Sequence, residues 1–129
     1  MPTVLYDGEC GLCRFIMGSL LRWDRRRRLR PLALQTAEGI GLLPDMDEET
    51  RLASFHFVEP DGSVHSGGRA LPRLLRCLPG GAPLASAMEA VQPLTDRLYD
   101  LIAHNRDKIG PHIPERWKQS ATRVIESRA

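Results

Sequence analysis

Aromatic residues make up only 5% of this 129-residue chain, and no apolar run is long enough to cross a membrane as a helix. The first residues offer only Val4, Leu5 and Tyr6 before Asp7 and Glu9, which is neither the apolar core of a secretion signal nor a span, so a cytoplasmic location is expected. Neither sign of charge dominates. With 18 basic and 16 acidic residues the net charge is +2, which gives no global field of the kind that nucleic-acid or membrane-surface proteins use. The strongest local bias, Arg25 to Arg28, is shorter than the charge blocks that mark interaction tails. It is expected at a helix C-terminus, where cations favour the macrodipole. The chain also lacks repeats, low-complexity tracts and any long linker, so a single domain over 1–129 is expected, with a core of about 3–80 and a helical extension of about 83–127. A domain of this size buries roughly two-thirds of its unfolded surface and needs neither metal nor disulfide to fold.

Thr3 to Tyr6 is a short β-prone run. Gly8 and Gly11 bracket a turn, after which Leu12, Phe15, Ile16, Leu20 and Trp23 trace one helix face. Arg14, Gly18, Arg22, Arg25 and Arg26 fall on the other, so residues 11–26 read as an amphipathic helix following a strand. Leu29 to Leu34 is a second strand, and Pro31, which cannot donate to a ladder, places it at a sheet edge. One or two short helices are expected over 36–52. Phe55 and Phe57 alternate with His56 and Val58 before a Pro60-Asp61-Gly62 turn and Ser63 to Ser66, a hairpin pattern. Leu71, Leu74, Leu75 and Leu78 then keep helical spacing, with Pro72 in the first turn and Pro79-Gly80-Gly81 as the stop. Further helices are expected over roughly 84–91, from Pro93 with Leu94, Leu98, Leu101 and Ile102 on one face, and from Pro114 with Trp117, Ala121 and Val124.

Three cysteines in a cytoplasmic chain do not suggest a structural disulfide framework. Cys10 and Cys13, however, lie three apart at the first turn of a helix that follows a strand. Residues at that spacing share a helix face and can approach disulfide geometry. Cys10 is aimed where free backbone N–H groups and the positive end of the helix dipole stabilise a thiolate, and Cys13 lies one turn further in. Cys10 is therefore the expected attacking thiol and Cys13 the resolving one. Asp7 is a candidate proton acceptor for Cys13 if buried beneath it, although its charge, with that of Glu9, opposes a thiolate at Cys10.

Two other readings of the pair stand beside this one. Cys-x-x-Cys is also a zinc half-site, but a structural zinc needs four ligands. Cys77, His56, His65, His104 and His112 form no second half at zinc-finger spacing, so no metal is expected. The other alternative is a non-catalytic module whose cysteines sense redox state or lie inert while the helical tail binds a partner. Cys77 falls beside the apolar face of its helix and reads as a small buried hydrophobe. Gly67 and Gly68 lack the spacing of a phosphate loop and read as a turn.

The segment Tyr6-Asp7-Gly8-Glu9-Cys10-Gly11-Leu12-Cys13 closely resembles the signature of the DCC family of thiol-disulfide oxidoreductase-like proteins, named for an aspartate and two cysteines, here Asp7, Cys10 and Cys13. The likeness runs over roughly 3–110. It includes Leu29 to Gln35, the Phe55 to Gly62 hairpin, the Ala70 to Arg76 helix, and Tyr99 to Ala103 with Asn105 and Arg106. It implies an α/β fold of thioredoxin-like type, a three-layer sandwich around a mixed four-stranded sheet in the order 2-1-3-4, with a C-terminal helical extension. It also implies protein-disulfide reductase-like exchange with a disulfide-containing protein or a small-molecule thiol, without a cofactor. The chain departs from related patterns twice. Thioredoxins and glutaredoxins carry a cis-proline before the third core strand, where this chain has Arg51-Leu52-Ala53-Ser54. Family members often carry a further cysteine in the tail, where this chain has Ile109-Gly110-Pro111-His112. Tyr99, Asn105 and Arg106 read as helix packing and capping.

Overall fold

In the computed structural model, which describes residues 1–128, strand β1 (Thr3–Tyr6) is buried along its whole length. It runs parallel to β2 (Arg30–Ala33), with Val4 opposite Pro31, and antiparallel to β3 (His56–Val58), with Val4 opposite Phe57. Strand β4 (Val64–Ser66) completes the hairpin with β3, so the sheet is mixed and its order is β2-β1-β3-β4. Pro31 thus lies on an edge strand, where its missing N–H removes no interior ladder bond.

Alternation along the strands explains the layers. Val4, Tyr6 and Phe57 point to one side, where Met17 and Leu21 of α1 (Gly11–Trp23) and Leu74 and Leu75 of α4 (Ala70–Arg76) pack on them. Leu5 and Val58 point to the other side and meet Leu34 and Leu43 beside the short helices α2 (Ala37–Gly41) and α3 (Glu48–Ala53). Both faces of the sheet are covered, which is the three-layer α/β arrangement of a thioredoxin-like fold. Beyond the core follow α5 (Ala82–Ala90), α6 (Gln92–His104), α7 (Arg106–Ile109) and α8 (Glu115–Glu126). None of the described helices is long and apolar enough to cross a membrane.

Four details go beyond or against the sequence reading. Helix α1 stops at Trp23 because fully buried Asp24 turns the chain. The Asp24 carboxylate accepts the N–H groups of Arg28 and Leu29 at 3.0 and 2.9 Å and pairs with Arg128 at 3.1 Å, so Arg25 to Arg28 lie in a turn after the helix, with Arg27 at φ 51°. The face of α1 that carries Gly18 is not left to solvent, although Arg22 on it stays exposed. Helix α8 lies across it, with Phe15 stacked on Trp117 at 6.0 Å and Gly18 so close to Ala121 that a methyl on Gly18 would meet the Ala121 Cβ at 2.5 Å. Conversely, the apolar residues of α6 are not buried: Leu94 and Leu101 are 54% and 60% exposed. Cys77, expected inside, is half-buried at the C-terminal cap of α4.

Candidate active site

The loop Asp7-Gly8-Glu9 joins β1 to α1 and is held by one side chain. Gln35 accepts the Gly8 N–H at 3.0 Å and donates to an Asp7 oxygen at 2.6 Å, while the same oxygen accepts the Glu9 N–H at 3.0 Å. Cys10 follows as the N-cap of α1, with extended backbone geometry at φ −89° and ψ 121°. A helix start leaves N–H groups without intrahelical partners, and at this one the side-chain acceptor is sulfur: Cys13 N–H donates to Cys10 Sγ at 3.3 Å. Sulfur is a weak acceptor as a thiol and a much better one as a thiolate, so this position favours the ionised form.

Both cysteines are partly buried, and both are free. Hydrogen bonding from the Cys13 thiol is the chief reason the Cys10 thiol falls well below its ordinary value, to about 6. The Cys13 backbone N–H and the Arg106 guanidinium act in the same direction; burial and the Asp7 carboxylate act against them. Cys13 is pushed up, first by its hydrogen bond to Cys10, then by burial and by the Cys10 charge. The arrangement thus shifts the two sulfurs in opposite directions, favouring charge on Cys10 and a proton on Cys13.

Asp7 sits beside this pair, but its oxygens are engaged elsewhere: by Glu9 and Gln35, and by Arg106, whose Nη1 is 3.8 Å from Oδ2. Among the described residues no hydrogen bond joins Asp7 to Cys13. Arg106 also donates to the Leu52 carbonyl at 3.0 Å, which ties the start of α7 to the approach of β3. Tyr99, on α6, accepts the Phe55 N–H at 3.1 Å, and burial pushes its hydroxyl up to about 12, so it stays protonated. Asn105 caps α6 through Leu101. Packing and capping describe Asn105 fully, but Arg106 and Gln35 reach the Asp7-Cys10-Cys13 segment directly. The sequence showed these two residues only as parts of segments resembling the family pattern, with no spacing to connect them to the cysteines.

Cys13 also borders a cavity of about 360 Å³ between α1, α4 and α6. Leu12, Ile16 and Leu20 of α1, Leu74 of α4, and Leu98 and Ile102 of α6 line it. Asp7, Ser54, Tyr99 and Arg106 gather its polar groups in the same lining as Cys13.

No set of three or more His, Cys, Asp or Glu side chains converges to hold a metal ion among the described residues. His56 is spent between Ser66 Oγ at 2.6 Å and the Arg51 carbonyl at 2.8 Å, and burial lowers its pKa. The approach to β3 contains no cis peptide bond, as the absence of a proline there requires.

No curated protein and no solved structure matches the chain significantly. A family model, that of the DCC1-like thiol-disulfide oxidoreductases, matches residues 4–111, from the first strand through the segment that carries Arg106. That match takes in most of the chain together with the whole cysteine site, and the chain therefore belongs to the DCC1-like thiol-disulfide oxidoreductase family.

Proposed function

We propose that this chain catalyses thiol-disulfide exchange, with Cys10 attacking and Cys13 resolving. The observation that carries the reading is the N-cap position of Cys10, whose sulfur accepts the Cys13 N–H at 3.3 Å. A thiol with a pKa of about 6 is largely ionised at neutral pH and still close enough to ambient pH to remain a good nucleophile. Attack on a target disulfide forms a mixed disulfide through Cys10 and expels one thiolate. Cys13 then loses its proton and attacks Cys10, which closes the Cys10–Cys13 disulfide and releases the second thiolate. The target gains two electrons, and an external thiol returns the pair to the reduced state.

Asp7 and Arg106 serve as a tuning pair. The carboxylate raises and the guanidinium lowers the cost of charge on Cys10, and their mutual approach keeps either from acting alone. In the cytoplasm, where thiol pools are reducing, the pair works as a reductase of disulfide-containing proteins or small molecules. The test is the number of alkylatable thiols, by mass spectrometry, after equilibration across thiol-disulfide redox buffers, with Cys10→Ser as control. A reversible two-thiol transition confined to Cys10 and Cys13 is expected, and three free thiols throughout would defeat the reading.

A further inference from the structure

The exchange chemistry uses the two sulfurs and their charged neighbours, but it leaves unexplained the cavity that Cys13 borders. Ile16, Leu98 and Ile102 line that space and are nonetheless 43%, 51% and 47% exposed. Apolar side chains from two helices thus line one space and remain wet, an arrangement that gains free energy when something apolar fills it.

The polar groups of the lining indicate what kind of occupant fits. An extended peptide docks by pairing its N–H and C=O groups with a row of unspent backbone, and here only Ser54 keeps such groups, flanked by backbone that is spent. The Phe55 N–H goes to Tyr99 at 3.1 Å, the Phe55 carbonyl accepts the Gly67 N–H at 3.1 Å, and the Leu52 carbonyl accepts from Arg106 at 3.0 Å. Peptide groups brought into this space beyond the one pairing at Ser54 would lose water without gaining partners, at a cost of a few kcal/mol each. A hydrocarbon group meets no such penalty. The volume of about 360 Å³ lies at the lower end of the range for small-molecule sites, which are likewise mostly apolar with a few convergent polar groups.

We propose that this cavity takes the alkyl or aryl group of a low-molecular-weight disulfide and so presents its sulfurs to the cysteine pair. The inference rests on the exchange reading above and narrows its substrate class. For a substrate R–S–S–R, the Cys10 thiolate forms one new S–S bond and expels R–S⁻. Cys13 gives its proton to solvent and attacks Cys10, expelling the second R–S⁻, and both products take up protons from water. The substrate is reduced by two electrons, the cysteine pair is oxidised by two, and an external dithiol restores it.

The experiment uses the full chain with dithiothreitol as reductant and compares dipentyl disulfide with bis(2-hydroxyethyl) disulfide, each rate divided by its uncatalysed rate. Each buried methylene multiplies affinity about fourfold, so kcat/KM is expected to favour the pentyl compound by about tenfold or more. In a Leu98→Gln, Ile102→Gln double variant, whose changes fall on half-exposed positions, that preference is expected to collapse. Equal rates for the two disulfides in the unaltered chain, or a preference that survives the double variant, would overturn the proposal. So would a leucine-flanked cystine peptide that outcompetes the pentyl compound.

Binding is read separately with unreactive dipentyl sulfide and the Cys10→Ser chain, by the methyl resonances of Met17 and Met88, both in the cavity lining. Shifts of both are expected, and their absence would overturn the site whatever the fate of the exchange reading. Shifts without any Cys10–Cys13 disulfide in the redox titration would overturn the substrate role and place the failure in the exchange chemistry.

Discussion

Arg106 stands 3.8 Å from Asp7, joining a residue near the end of the family match to the loop that delivers Cys10. The two charges act on the cysteines with opposite sign, and Asp7 is held in place by Gln35 as well. Removing Arg106 leaves the carboxylate unopposed beside a thiolate, so Arg106→Ala is expected to slow Cys10 alkylation several-fold near pH 6.5 and to move its midpoint upward. Asp7→Asn is expected to move the midpoint downward. Iodoacetamide kinetics against pH, followed by peptide mass spectrometry, read both shifts. Equal and unshifted profiles would show that neither charge reaches the sulfur.

The pH dependence of the unaltered protein follows from the same site. Alkylation of Cys10 is expected to be half-maximal near pH 6 and flat above pH 8, whereas Cys13 stays unreactive until the fold is lost. The folded thiol ionises below its unfolded value of about 8.5, so its contribution to stability is complete above that value, declines as pH falls, and is gone below about pH 6. Cys13 works the other way: its folded value is raised, so unfolding is favoured at pH above about 8.5, where the unfolded thiol ionises. Urea titrations of the reduced protein should therefore show stability rising from pH 5.5 to 8 relative to Cys10→Ser. A parallel pair of curves would contradict the thiolate.

Tyr99 supplies a cleaner structural test, because its ring and its hydroxyl do different things. The ring lies 5.6 Å from that of Phe55 in a tilted contact, and the hydroxyl accepts the Phe55 N–H. Tyr99→Phe keeps the first and removes the second, leaving a partly buried N–H without its partner. The expected loss is about 1–2 kcal/mol in denaturant titrations, with the midpoint falling and the slope unchanged. Loss of the backbone tie next to Cys13 should also speed hydrogen exchange at Phe55 specifically. Unchanged protection at that amide would mean the bond is not formed in solution.

Much of this architecture was readable because local chemistry decided it. Pro31 marked the edge strand, alternation through Phe55 to Val58 marked two sheet faces, and the amphipathic pattern after Gly11 set Cys10 and Cys13 at the start of a helix. What escaped depended on partners distant in the chain. Arg14, Gly18 and Arg22 look like a solvated face, yet α8 packs on Gly18, exposed Arg22 reaches Ser120 at its margin, and Lys118 sits over Gly11. The spacing puts Leu98 and Ile102 on one face of α6, but does not show that this face opens onto a cavity. Trp23 looks like mid-helix, and only the burial of Asp24, secured by Arg128 from the far end of the chain, explains the stop. In each case a periodic pattern gives the direction in which a side chain points, but not what will meet it there.

The contact between Gly18 and Ala121 gives the last prediction. Helix α8 lies beyond the residues matched by the family model, yet it covers the outer face of the helix that carries both cysteines. A side chain at Gly18 would meet both the Cβ and the backbone Cα of Ala121, at 2.5 and 2.6 Å, so the helices must separate to admit it. Helix propensity favours alanine over glycine by up to about 1 kcal/mol, and against it stands an overpacking cost of about 1–3 kcal/mol. Gly18→Ala is therefore expected to be mildly destabilising and Gly18→Val strongly so, with protection lost first in α8. If that helix only clamps the scaffold, the Cys10 alkylation midpoint should stay near pH 6 in Gly18→Ala. A shift of that midpoint would instead show that the position of α8, whose Lys118 reaches Gly11, sets the environment of the reactive sulfur.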